Sequence, residues 1–147
     1  MSITKKIAFA AAALVVQVAA FAQASPVGLW KTIDDDGKTE KSLVRITELN
    51  GVLSGRIEKL LDPATKPDAV CDKCTDERKG KPLVGLTILR NLKPGDDKEW
   101  WEGGDVTDPN NGKTYRAKVR TIEGGKQLQM RGYIGPFYRT QTWVRVE

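Results

Sequence analysis

Residues 113–131 read KTYRAKVRTIEGGKQLQMR, and this stretch decides the fold class. Tyr115, Ala117 and Val119 alternate with Arg116, Lys118 and Arg120; past Gly124 and Gly125, Leu128 and Met130 interleave with Gln127, Gln129 and Arg131. A period of two sets one face of each segment against an apolar core and the other in water. The glycine pair supplies the positive φ of a tight hairpin turn. The stretch reads as two antiparallel, two-faced strands.

The same pattern extends outward in both directions. Leu53, Gly55 and Ile57 alternate with Ser54, Arg56 and Glu58, and turn residues stand at Asp34-Asp35-Asp36-Gly37, Asn50-Gly51, Pro94-Gly95-Asp96-Asp97 and Asp108-Pro109-Asn110-Asn111-Gly112. The runs between these breaks predict strands near 27–33, 41–49, 52–60, 84–91, 99–106, 113–121, 126–133 and 138–146. Strands joined in sequence by hairpins are expected to close into an all-β, eight-stranded antiparallel up-and-down barrel, because closure removes the unpaired amides of two sheet edges. Such an interior is filled by side chains or holds one small ligand. One long irregular stretch, Leu61 to Pro82, carries Pro63, Pro67, Cys71, Cys74 and Pro82 and is expected to cover a barrel mouth.

At the N-terminus, Lys5-Lys6 precede an apolar run from Ile7 into Ala20 and the small-residue sites Ala20-Phe21-Ala22 and Ala22-Gln23-Ala24. This is the pattern of a secretory signal peptide, so residues 1–24 are expected to be cleaved, leaving a single domain over 25–147. The run is shorter than the roughly 20 residues a spanning helix needs, and no cysteine follows the cleavage sites to take a lipid. An exported protein with no membrane anchor is expected, in the periplasm. Loss of Lys5 and Lys6 leaves 22 basic against 19 acidic residues. A surplus that small gives no nucleic-acid footprint.

Export places Cys71-Asp72-Lys73-Cys74 in an oxidising compartment, where a disulfide is the first reading. A thioredoxin-like couple would need a strand before it and a helix after it, and zinc would need a second ligand pair. The chain contains no histidine, which removes Ser-His-Asp and Cys-His nucleophile activation and most catalytic zinc sites. Asp34, Asp35, Asp36, Glu99, Glu102, Asp105 and Asp108 could supply a carboxylate pair, but most sit at turns, where aspartate bonds its own backbone. Asp108, Asn110 and Gly112 begin like a calcium loop, yet Lys113 and Val119 stand where its glycine and bidentate glutamate belong. No enzyme, metal or cofactor is expected.

Gly28-Leu29-Trp30 near one end and Thr142-Trp143-Val144-Arg145 near the other resemble the lipocalin superfamily, in which a G-x-W tryptophan plugs the closed end under an arginine from the last strand. The resemblance makes Gly28, Trp30 and Arg145 structural; strand parity sets Arg145 opposite to Val144 and Val146, wrapping the base from outside. Thr107-Asp108 is followed by Pro109 where lipocalins carry an aromatic. Over the whole mature length, Pro26-Val27-Gly28-Leu29-Trp30-Lys31-Thr32, the C-D-x-C pair, Gly85-Leu86-Thr87-Ile88-Leu89, Trp101-Glu102-Gly103-Gly104, Gly112-Lys113-Thr114-Tyr115, Arg131-Gly132-Tyr133-Ile134-Gly135 and Gln141-Thr142-Trp143-Val144-Arg145 resemble the exported bacterial family called domain of unknown function 2147. That resemblance implies a lipocalin-like barrel and brings no activity.

A binding role would show in the aromatic residues. Trp100 and Trp101 are adjacent, so one faces in and one out, with Gly103-Gly104 placed for a bulge. Trp100, Trp101, Tyr115 and Phe137, with Tyr133 and Tyr138, are expected at the open end, gripping a small apolar or amphipathic ligand in the cell envelope. Two alternatives stand beside it. One is a protein-interaction or stress module with a filled barrel and no identified protein partner, and the other a thiol-active or carboxylate enzyme.

Overall fold

The computed structural model describes residues 8, 10–14 and 24–147. The expected signal peptide thus falls mostly outside the described residues. Eight strands form a closed antiparallel barrel in sequence order: β1 Gly28–Ile33, β2 Glu40–Leu49, β3 Val52–Leu60, β4 Thr87–Pro94, β5 Trp101–Asp108, β6 Lys113–Ile122, β7 Gln127–Ile134 and β8 Phe137–Arg145. A 3-10 turn, Glu123–Gly125, joins β6 to β7. The barrel closes where Trp30 pairs with Arg145 and Lys31 with Val144.

The alternation read from the sequence fixes the inner face. Val44, Ile46, Leu53, Ile57, Ala117, Val119, Leu128, Met130 and Trp143 are buried in one apolar cluster. Their neighbours in sequence point to solvent, as a pleated strand requires.

The starts of two strands move by two or three residues. β4 begins at Thr87 rather than 84, because Gly85 donates to the Ile57 carbonyl, Ile57 to that of Leu86, and Leu86 to that of Leu83, which turns the chain onto β3 first. β5 begins at Trp101 rather than 99, because Gly95 and Trp100 close the preceding turn and Asp97 Oδ1 accepts the amides of Glu99 and Trp100. The register shift between Trp101 and Gly104 is the bulge expected at Gly103-Gly104.

The Leu61 to Pro82 stretch folds back on itself. The Cys71 amide donates to the Lys81 carbonyl and the Gly80 amide to the Cys71 carbonyl, Val70 bridges Pro82, and Cys71 and Cys74 are joined by a disulfide buried in the core cluster. Arg78, also buried, bonds Asp76 within the segment and anchors it to the barrel through the Thr87 carbonyl and Thr114 Oγ1. Gly112, at φ +71°, lets the β5–β6 turn touch it: a Cβ there would stand 1.8 Å from the Lys73 carbonyl oxygen.

Candidate functional site: a cavity at the open end

Trp30 closes one end of the barrel. Its ring is fully buried, its Nε1 donates to the Pro26 carbonyl at 2.8 Å, and the Arg145 guanidinium lies 4.2 Å from the ring centroid. Arg145 also donates to the carbonyls of Ser25, Val27 and Gly125. The expectation that Arg145 wraps the base from outside is corrected: it shares the register of the buried Trp143, while Val144 and Val146 are the exposed neighbours. Gly28, at φ +148°, is needed because a Cβ would sit 2.3 Å from the Glu147 oxygen and 2.6 Å from Arg145 Nη1.

The opposite end is open. A cavity of about 410 Å³ enters the barrel there, with Ile57, Ile88, Val106, Met130 and Trp143 along its apolar walls and Leu60, Thr65 and Leu83 contributed from the side of the long loop. Its polar groups are already engaged with one another in the deeper part: Thr32 Oγ1 lies 2.8 Å from Ser42 Oγ, and Trp143 Nε1 donates to Gln141 Oε1 at 2.9 Å. The Gln141 amide in turn donates to Asp35, which Arg139 holds from the other side at 2.9 Å. This run from Trp143 to Arg139 ties the β1–β2 turn across the mouth.

Charge at the rim divides unequally. Lys41 Nζ bonds Asp62 at 2.8 Å and holds that carboxyl below the usual carboxylate range. Asp34 and Asp108 turn back to accept the amides of Asp35 and Asn110. Lys113 lines the cavity opposite Asp108 in the β5–β6 register, and its ammonium forms no direct ion pair among the described residues. Apolar walls beneath a polar, charged rim are the make-up of small-molecule sites.

Of the four aromatic residues expected at this site, only Tyr115 lines it, with its hydroxyl accepting from the Asn111 amide at 3.0 Å. Phe137 stands at the rim, exposed and outside the lining. Trp100 and Trp101 do not line the cavity, and that expectation is corrected. Trp100 ends the β4–β5 turn and Trp101 begins β5, both at the plugged end, where Trp101 packs against the core and Trp100 turns outward. The Trp100 ring is nonetheless buried, because Lys118, Arg120 and Arg131 lie over it at 4.4 to 4.7 Å. Long cationic side chains cover an outward ring with their stems.

Trp143, Gln141 and Arg139 were missed as cavity residues. The period of two along β8 puts them on one face with Arg145, so the signal was present in the alternation. No group of three or more histidine, cysteine or acidic side chains placed to hold a metal occurs among the described residues.

The solved structure of protein HP1028 from the human pathogen Helicobacter pylori, described as belonging to the lipocalin family, superposes with a TM-score of 0.68 at 21% identity, covering 84% of each chain. None of the curated proteins matches this chain. Residues 28–145 match the family described as an uncharacterized protein conserved in bacteria, DUF2147, and the chain, a lipocalin-like barrel whose plugged end carries the G-x-W residues, belongs to that family.

Proposed function

We propose that the barrel binds a small amphipathic molecule in the open-end cavity, apolar chain inward and anionic head at Lys113. The observation that carries this reading is the cavity itself: about 410 Å³ falls within the roughly 300 to 1,000 Å³ of small-molecule sites. It equals about fourteen water-sized volumes of ~30 Å³, which fits a chain of about a dozen carbons. An interaction module acting through its outer face would favour a solid interior.

The N-terminal segment supports work outside the cytoplasm, in the periplasm, with release of residues 1–24. Intact mass of the exported protein tests this, and a mass retaining Lys5 and Lys6 would refute it.

For the ligand, intrinsic tryptophan fluorescence is titrated with medium-chain fatty acids and with neutral-headed amphiphiles of equal length. Trp143 in the cavity wall reports occupancy. Saturable binding of the acid, weakened about tenfold by Lys113→Gln while the neutral amphiphile is unaffected, is expected. No saturable change across the panel would refute the reading.

A further inference from the structure

The outer face of β6, β7 and β8 beside the mouth carries cations and apolar surface that the cavity does not use. The register stacks Arg116, Tyr133 and Tyr138 in one row across the three strands and Lys118, Arg131 and Thr140 in the next. The two tyrosine rings lie 5.5 Å apart, with Arg116 over Tyr133 and Arg131 over Tyr138. Arg116, Lys118 and Arg131 form no ion pair among the described residues, in contrast to Arg120, which bonds Glu99, and Arg139, which bonds Asp35. Arg131 Nε is buried without a hydrogen-bond partner.

Beyond these rows the β7–β8 hairpin turns at Gly135 and Pro136 and holds three large residues in water. Ile134 is 58% exposed, Phe137 76% and Tyr138 53%. Ile134 also lines the cavity rim, so the bare tip and the entrance adjoin. Asp105 stands across from Arg116 and Asp97 lies near Lys118, but three cations against these two acids leave a surplus that calls for an anionic surface, and an apolar tip above it calls for a non-aqueous layer just behind that charge. Tyrosines between the two fit the headgroup level of a bilayer. A soluble polyanion would satisfy the cations and leave Phe137 and Ile134 in water.

We propose that the β7–β8 hairpin docks the open mouth on an anionic lipid bilayer, with Ile134 and Phe137 entering the headgroup boundary and Arg116, Lys118 and Arg131 facing lipid phosphates. The consequence that an amphiphile passes between bilayer and cavity rests on the proposed function above; the docking itself does not.

Flotation with vesicles of phosphatidylcholine alone, or mixed with phosphatidylglycerol, tests the proposal using the mature protein, Phe137→Ser, and the pair Arg116→Gln with Lys118→Gln. Binding to the anionic vesicles only is expected, reduced about tenfold or more by each variant. Phe137→Trp should show a blue-shifted emission on the anionic vesicles alone. None of these residues lines the cavity, so titration with a monomeric soluble amphiphile should give wild-type affinity in each variant. Loss of that titration with vesicle binding intact overturns the cavity reading and leaves docking standing. No binding to anionic vesicles, or binding indifferent to both variants, overturns docking. So does equal retention by soluble polyphosphate with Phe137→Ser without effect, which would mark a polyanion site.

Discussion

Filling the cavity from Gly132 separates binding from folding. Gly132 lies in β7 on the cavity wall with no positive φ, and a Cβ built there meets only Val106 Cγ1 at 3.6 Å and Tyr115 Cβ at 3.8 Å, ordinary contact distances. Gly132→Leu adds four carbons, about 120 Å³ at ~30 Å³ each, and leaves about 290 Å³ of the 410 Å³. A guest that filled the wild-type cavity must then expose about four methylenes, worth about 0.8 kcal/mol apiece, or about 3 kcal/mol in all. Its Kd should rise on the order of a hundredfold. An amphiphile shorter by four carbons should bind both proteins alike. The fold should be as stable or firmer by up to about 1 kcal/mol, since a strand glycine gives up more backbone freedom than any other residue. Fluorescence titration and thermal melting read the two effects. If Gly132→Leu folds as wild type and binds the long amphiphile equally well, the cavity is not the site.

Three further outcomes follow from the same geometry. Trp30→Ala should cost about 3 to 5 kcal/mol and lower the melting temperature by about 10 to 20 °C; melting within a degree or two of wild type would refute the plug. Replacing Cys71 and Cys74 together by alanine should cost about 2 kcal/mol with the β circular dichroism intact, because the bridge closes only a four-residue loop; loss of the barrel would show that it holds more than that loop. The Arg78 guanidinium holds the Asp76 carboxyl well below the carboxylate range, and hydrogen bonds from Thr39 and neighbouring amides bring Asp36 to about 2. Depressed carboxyls stabilise the fold above their unfolded pKa, and that contribution is lost as pH falls through the folded value. Melting temperature should therefore hold from pH 7 to 5 and decline below about pH 4, with a shallower decline in Asp76→Asn; identical acid profiles would show that Asp76 carries none of it.

The strand count, the inward residues of β2, β3, β6 and β7 and the disulfide loop were legible because each depends on local alternation, turn chemistry or the spacing of two cysteines. The position of the site was not. Whether Trp100 or Trp143 meets the cavity depends on which end of the barrel a residue reaches and where a turn takes up chain, and both are set by long-range closure. Arg145 illustrates the limit: its contact with Trp30 was implied by motif, but its inward register was lost because two flanking valines were read as core. Those valines are exposed, and the arginine takes the inner row because three carbonyls and a ring await it.

Closing the barrel through Trp30 and Arg145 also has a temporal meaning. Strand one finds its second neighbour only in the last strand, and Arg145 gathers carbonyls from Ser25, Val27 and Gly125, the first and last of them a hundred residues apart along the chain. Nothing can seal the cylinder until residues 137–145 have been synthesised. Until then, strand one presents an unpaired edge. Such distant pairings fold slowly and stay open to wrong partners, so the growing chain remains a ribbon that must be kept from its neighbours, and becomes a vessel in a single late step.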